Sequence, residues 1–525
     1  MGGTLKLTRL PGAKSNLVLV AGVILIIFAL LPLLQLLGEA ATAQSEVYAI
    51  LLTRQPWSLL GRSLALSGSV TACTLAIGIP LGVCISRTNV PGRSALWILH
   101  AFPMFLPPFL LVLGWFHLLG RQGYFGTETT ARCLFSELGV VAVLTLTFAP
   151  IVTSLVGLGI FGIDASFEEA ALVVARPIQV VMKILVPAIR PNITLAAIIV
   201  FALALSELAV PMFLRVKVFP AAVFARLGGI QYAPQEAIAL VLPLVPIALL
   251  LLNVERRFVG VRSFALANLR GISRRPLALG GWRSPVTAAC WIYALLSLAP
   301  IGALICRAGS GHGFLALPQW LGHAPITSLL SAIIGATIIS ILGLVLGHAV
   351  ARSLRGSAAL DALALFAFVM PASVLGVGLI AVWNRAVTQV LYGSMAILVI
   401  GYVARYSVVS LRAVASSVRQ TSPHFEEAAI VAGAGYARRL VHIVLPMHLR
   451  GAAFGWLLAM IFCLRDLETS VLFYPPGGEP LTVRIFTLEA NGPEPVVAAL
   501  AVLQVLITAV LMGIGALAIP RRRHV

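Results

Sequence analysis

The sequence predicts an all-α membrane protein of about twelve transmembrane helices, laid out as two tandem six-helix units. Three observations predict it. Hydrophobic residues fill 60% of the 525 positions and charged residues only 10%, against about 45–50% and 25% in soluble domains. Apolar runs long enough to cross a bilayer recur along the whole chain, and one series of landmark residues appears twice in the same order. The formal net charge of +19 is no nucleic-acid signature. Only four lysines occur (Lys6, Lys14, Lys183, Lys217), and the arginines sit singly or in short groups between apolar runs, without the basic stripe of a DNA binder.

A helix needs about 20 apolar residues to cross a hydrocarbon layer of about 30 Å. Twelve such runs are present. Those of the first half cover about 17–37, 64–86, 96–119, 138–160, 194–214 and 237–253. Those of the second half cover about 286–306, 328–350, 360–383, 390–411, 452–473 and 496–519. Prolines inside them (Pro80, Pro107, Pro243, Pro371) are better tolerated in membrane helices than in soluble ones. An even number of runs puts both termini on one side. With that side cytoplasmic, the inner segments between the runs hold 25 basic and 6 acidic residues, and the outer segments 10 basic and 8 acidic. The positive-inside bias therefore predicts cytoplasmic termini. The first run has the rival reading of a cleavable signal, with Lys6, Arg9 and Lys14 before it and Ala41-Thr42-Ala43 after it. Its 21 residues exceed the usual h-region of about 7–15.

The landmarks define the repeat. Ser63, Gly78, Gly82 and Arg87 recur as Ser328, Gly343, Gly347 and Arg352, all 265 positions on. Pro107 and Gly114 recur as Pro371 and Gly378, 264 on, and Glu207 recurs as Asp466, 259 on. The domain plan that follows has a terminal segment with the first run (1–56), a first unit (57–253), a basic linker (254–284), the seventh run with its outer loop (285–322), a second unit (323–518) and a basic tail (519–525). Parallel repeats are an established transporter plan, with the substrate path at their interface. The six cysteines show no zinc-ligand spacing, and no metal site is expected.

Each unit carries an unusual inner loop after its fourth run, at about 162–192 and 412–450. The pentapeptide FEEAA occurs in both, at 167–171 and 425–429. Carboxylates in a first helical turn meet the positive end of the helix dipole. The Ala-Ala pair favours helix with little bulk, so another surface can approach closely. A proline follows in both loops, Pro187 and Pro446, 18 and 19 residues beyond the second glutamate. This pattern of E-A-A-x-x-x-G followed by I-x-L-P resembles the EAA motif of permeases in binding-protein-dependent ABC importers of type I. The second loop matches it through Glu427, Ala428, Ala429, Gly433, Ile443, Leu445 and Pro446. The first retains Glu169, Ala170, Ala171 and Pro187, but Ala175 replaces the glycine and Pro177 follows, so its bend must form differently.

The resemblance covers both units and implies a mechanism. The two loops would couple to two copies of a cytoplasmic ABC ATPase, with Glu168, Glu169, Glu426 and Glu427 facing basic groove residues, and a soluble extracytoplasmic binding protein would deliver the solute. ATP would be used by the partner, and no cofactor is expected on this chain. The sequence agrees, because a phosphate-cradling G-x-x-x-x-G-K-[ST] is absent. Only Lys14 precedes a Ser or Thr, and Ala13 stands before it. The chain is thus expected to be a permease rather than an enzyme, in the bacterial inner membrane.

Charges inside membranes are candidates for function. Glu207 and Asp466 occupy one point of the repeat, with Glu468 nearby and Arg405 in the tenth run, and these four form a candidate translocation path. The alternative is that Arg465, Asp466 and Glu468 pair locally or reach the outer interface. Helical spacing puts Glu468 only two residues from Asp466, so both cannot share one face. The segment YPPGGEPLTVRIF (474–486) resembles the outer loop of fused permeases in ferric-iron importers, which points to ferric iron as the solute. The same branch serves thiamine, polyamines, phosphonates and inorganic anions. Two other classes are weighed against this reading: an ion-driven secondary transporter, and a membrane enzyme, for which His100, His117, His348, His442 and His448 form no HExxH or comparable site.

Overall fold

The computed structural model describes residues 16–163, 165–228, 233–258, 276–310 and 312–518. The charges at Lys6, Arg9 and Lys14, most of the basic linker and the basic tail lie outside the described residues. Among these residues, eight helices are long and apolar enough to cross a membrane, and four bent pairs raise the total to as many as twelve. In chain order they are span 1 (Asn16–Thr42), span 2 (Arg54–Arg87), span 3 (Arg93–Phe105 with Pro108–Leu119), span 4 (Glu137–Phe161), span 5 (Pro177–Ala188 with Arg190–Ser206) and span 6 (Gln235–Phe258). The second half continues with span 7 (Gly280–Ser310), span 8 (Ala324–Ala351), span 9 (Ser357–Val369 with Ala372–Trp383), span 10 (Ala396–Arg419), span 11 (Tyr436–Met447 with Leu449–Arg465) and span 12 (Glu494–Leu517). Among the described residues the regular structure is helical, with one isolated bridge between Thr88 and Leu277 and no strand, as expected.

The bent pairs recur in register. Spans 3 and 9 turn by 103° and 106°, and spans 5 and 11 by 66° and 86°. The runs at 96–119 and 360–383 are thus not straight helices. Proline removes an N–H and drives the residue before it out of the helical region. Leu106 (ψ 151°) and Met370 (ψ 133°) are accordingly extended.

Each repeated landmark has the same mechanical task in both halves. The glycines let helices touch. A Cβ on Gly78 or Gly82 would come within 2.6–2.8 Å of Val152 or Val156 on span 4, and one on Gly343 or Gly347 would strike Ser410 or Leu411 on span 10. Spans 2 and 4, and spans 8 and 10, therefore pack as matching close pairs. Ser63 and Ser328 accept from the backbone N–H of Phe219 (2.8 Å) and Leu481 (2.6 Å). Those residues start the short helices Phe219–Gly228 and Leu481–Glu489, so a hydroxyl from a distant span caps each.

Gly114 and Gly378 clasp the halves together. A Cβ on Gly114 would lie 2.3 Å from the Pro300 carbonyl oxygen on span 7, and one on Gly378 would lie 2.7 Å from that of Pro32 on span 1. The first span of each half therefore packs on the third span of the other. This crossing was not legible in the domain plan, which set runs one and seven outside the units.

Candidate functional site

Both FEEAA segments begin helices, Ala165–Val174 and His424–Val431. In each pair the two carboxylates diverge. Glu168 is buried, and its Oε1 accepts from both Nε (2.8 Å) and Nη2 of Arg87 at the end of span 2. Glu426 is also buried. Its Oε1 accepts from Arg352 Nε at 2.9 Å, and its Oε2 meets His348 Nε2 at 2.7 Å. The His348 Nδ1 in turn meets the Tyr436 hydroxyl at 3.0 Å. Burial alone would raise the Glu426 pKa, but hydrogen bonding and charge from His348, followed by Arg352, hold it down to about 2.

The second carboxylates look outward. Glu169 is exposed, and Glu427 is 43% exposed with His424 Nδ1 at 2.9 Å. The expectation that all four glutamates face a partner therefore narrows to Glu169 and Glu427, because the inner pair is already engaged within the chain. Arg87 and Arg352 were visible as repeat landmarks, but their role was not. A recurring arginine at a helix end, matched by a recurring acid in the following loop, was the available signal.

The bends differ as the sequences require. After His424–Val431 the chain closes in a Schellman arrangement, with Gly433 N–H donating to the Ile430 carbonyl (2.9 Å) and Ala434 N–H to that of Ala429 (2.9 Å). Gly433 sits at φ +79°, the left-handed position that glycine fills without a Cβ penalty. The first loop has Ala175 there and instead breaks at Arg176 (ψ 148°), held extended by Pro177. Both loops then pass through a single π turn, Val181–Leu185 or Leu440–Val444, into the turn carrying Pro187 or Pro446. The wider i→i−5 pairing accommodates a proline that cannot donate. Ala170 and Ala428 are exposed. Ala171, Ala429, Ile443 and Leu445 are half-buried.

The intramembrane charges meet at a second pair of breaks. Span 5 stops at Ser206 and span 11 at Arg465, and the acid that follows is extended in both (Glu207 ψ 122°, Asp466 ψ 117°). Glu207 Oε1 accepts from the N–H groups of Ala209 (3.1 Å) and Val210 (3.0 Å), capping the short helix Ala209–Phe213. Asp466 likewise accepts from Ser470 N–H at 3.0 Å, and also from Tyr406 Oη (2.6 Å), Thr469 and Ser470 hydroxyls and Arg405 Nη1 (3.0 Å). Arg405 Nη2 reaches Glu468 at 2.7 Å. Asp466 and Glu468 do therefore share a partner. The face argument assumed a continuous helix, and the break at residue 466 removes it. Arg465 donates to the Met104 carbonyl at the break of span 3 in the other half, satisfying backbone that lipid could not.

The segment 474–486 is mostly architecture. Leu481 takes the Ser328 cap, Thr482 donates to the Asp466 carbonyl (3.1 Å), and Arg484 pairs with Glu479. No group of three or more His, Cys, Asp or Glu side chains suited to a metal occurs among the described residues.

No family model matches the chain. Among curated proteins it is 24% identical over 438 residues to a protein of Haemophilus influenzae named as a ferric transport system permease, covering 77% of this chain and 68% of that one. It is 25% identical over 420 residues to the ferric transport system permease of Actinobacillus pleuropneumoniae, covering 74% of this chain and 60% of the relative. A protein of Haloferax volcanii named as a molybdenum ABC transporter permease is 26% identical over 202 residues, covering 38% of this chain and 73% of the relative. With relatives of this kind, an all-helical body of eight to twelve spans and a duplicated set of bends, the chain is a two-unit permease of the ABC importer class, related to ferric transport system permeases.

Proposed function

We propose that this chain is the transmembrane subunit of an ATP-driven importer that moves ferric iron, handed over by an extracytoplasmic binding protein, across the bacterial inner membrane. Two copies of an ABC ATPase dock on the FEEAA helices, which places those loops and both termini in the cytoplasm. The observation that carries this reading is the paired loop helix. In each copy one carboxylate is buried against the bundle while its neighbour, Glu169 or Glu427, is left outside. Exposed apolar residues accompany them: Val173 and Val174 on the first helix, Phe425 and Val431 on the second. A helix that shows apolar groups beside an outward-facing carboxylate fits a partner groove with a basic rim.

ATP binding and hydrolysis belong to the docked subunits, and this chain supplies the path. Glu207, Arg405, Asp466 and Glu468 line that path where spans 5 and 11 break, at the interface of the halves. Names among the relatives also include molybdenum, spermidine/putrescine and 2-aminoethylphosphonate, and these solutes are the alternatives within the class. The test is uptake of labelled ferric iron by cells carrying Glu427→Ala or Gly433→Val. Loss of uptake and of ATPase co-purification, with normal membrane insertion, is expected. Wild-type uptake in both variants overturns the docking assignment. Uptake driven by a proton gradient without ATP overturns the importer class in favour of a secondary transporter.

A further inference from the structure

We propose that Glu168 and Glu426 are internal struts, held by the positioning residues Arg87 and Arg352, which tie each loop helix to its packed pair of spans, and that the second strut, completed by His348, is the stiffer. This deepens the docking assignment and rests on it for its functional consequence only.

A docked helix transmits motion only as far as it is attached. The described loop helices are short, and several of their side chains face outward. Val431 is 90% exposed, and Val173 and Val174 are 84% and 87% exposed. What anchors them is an ion pair in each copy, fully buried in the first loop and partly buried in the second, made with a residue 81 positions away in the first and 74 in the second. Arg87 ends span 2 and Arg352 is the C-cap of span 8, the spans whose glycines pack them against spans 4 and 10. Each strut thus runs from the loop to the tightest helix pair of its own half. Breaking a buried pair leaves an uncompensated charge, which is far more costly than losing a surface pair.

The two struts are unequal. His348 stands 265 positions beyond Val83, the spacing that separates Arg352 from Arg87. Where His348 engages Oε2 of Glu426 and is itself held by Tyr436, Oε2 of Glu168 is buried with no hydrogen-bond partner among the described residues. Arg352 also donates to the Thr421 carbonyl at 3.3 Å. Around Arg87, the backbone of the linker residue Leu277 adds a bridge instead (Leu277 N–H to the Arg87 carbonyl, 2.8 Å).

Amide hydrogen exchange on the full chain in lipid nanodiscs, with no partner present, tests the strut directly. Arg352→Gln should speed exchange in His424–Val431 by about a hundredfold, and Arg87→Gln should do the same in Ala165–Val174. The milder His348→Val should reduce the second helix to the protection of the first. The double exchange Arg352→Glu with Glu426→Arg should restore protection that Arg352→Gln loses. Unchanged exchange in Arg352→Gln overturns the strut, as does failure of both His348→Val and the double exchange to behave as stated.

The functional part is read in nanodiscs loaded with the ATPase subunits and the binding protein. There, Arg352→Gln should cut binding-protein-stimulated hydrolysis about tenfold while the ATPase stays bound, and the double exchange should recover it. Normal stimulation despite faster exchange overturns the positioning role. A wild-type chain that binds no ATPase overturns the docking assignment instead, and the exchange data still decide the strut.

Discussion

The two halves share a skeleton but not its polar filling. Both use the same serine, glycine, proline and arginine positions to set caps, close contacts, bends and ion pairs. The networks built on that frame are concentrated in the second half. Asp466 receives five donors, whereas its counterpart Glu207 receives two backbone N–H groups and otherwise stands beside another acid, Glu468. Glu426 uses both carboxylate oxygens, Glu168 only one. Gly433 closes a Schellman turn where the first loop has Ala175. Backbone geometry is therefore the feature held in common, and side-chain satisfaction is where the halves diverge. The second half is the better-defined body, and the first is the more permissive one.

The sharpest break of this comparison is at Arg405, which is 1% exposed and balances both Asp466 and Glu468. Counting from the carbonyls of Thr153 and Leu411, which meet Gly82 and Gly347 alike, Arg405 falls opposite Thr147. Arg405→Gln leaves two carboxylates without their cation and should cost about 3–5 kcal/mol. Thr147→Val loses only a hydroxyl bonded to the Val143 carbonyl one turn back and should cost about 1 kcal/mol or less. Thermal unfolding of the two purified variants measures the difference. Equal costs would mean that the network around Asp466 adds nothing to the second half.

A smaller effect is the pH dependence of the second strut. Glu426 is held down to about 2 from an ordinary value of 4.5. A depressed carboxylate contributes stability that is complete above its unfolded value and is lost as the pH falls through its folded one. The stability gap between wild type and Glu426→Gln should thus be flat above about pH 5 and close progressively between about 4.5 and 2. A gap that instead widens on acidification would contradict the pairing with His348 and Arg352. Melting curves between pH 6 and 3, within the range about the ordinary carboxylate value, provide the measurement.

Much of this was legible in the sequence, and for a physical reason. Hydropathy, charge asymmetry and the repeat reflect constraints that lipid imposes on every residue of a run, so they survive as averages. The breaks were only half legible. Pro107 and Pro371 were in view, but a proline inside a long apolar run can kink a helix slightly or end it, and the angle depends on what packs across the gap. The partners of Glu168, Glu426 and Arg405 were the least legible. Each is set by contacts between residues 61 to 81 positions apart, which no local pattern encodes. The reading that Asp466 and Glu468 cannot share a face went astray for the same reason, since a period argument fails where the helix stops.

The smallest predicted effect tests whether the bend of the second loop depends on its glycine. A Cβ at Gly433 would meet nothing within 4 Å, so Gly433→Ala probes backbone preference alone. Holding alanine at φ +79° costs about 1–2 kcal/mol, and the two hydrogen bonds that close the turn, from Gly433 and Ala434, bear that cost. Exchange of the residue 433 and Ala434 amides should quicken about tenfold in the alanine variant. The reverse change, Ala175→Gly, should not create the same turn. The donor that matches Ala434 is Arg176, which Pro177 holds extended and whose N–H goes to Gln179 Oε1 (3.2 Å). It should only loosen the helix end, by about 0.5–1 kcal/mol. If Gly433→Ala leaves exchange unchanged, the turn is held by its surroundings, and the two bends are mechanically closer than their sequences.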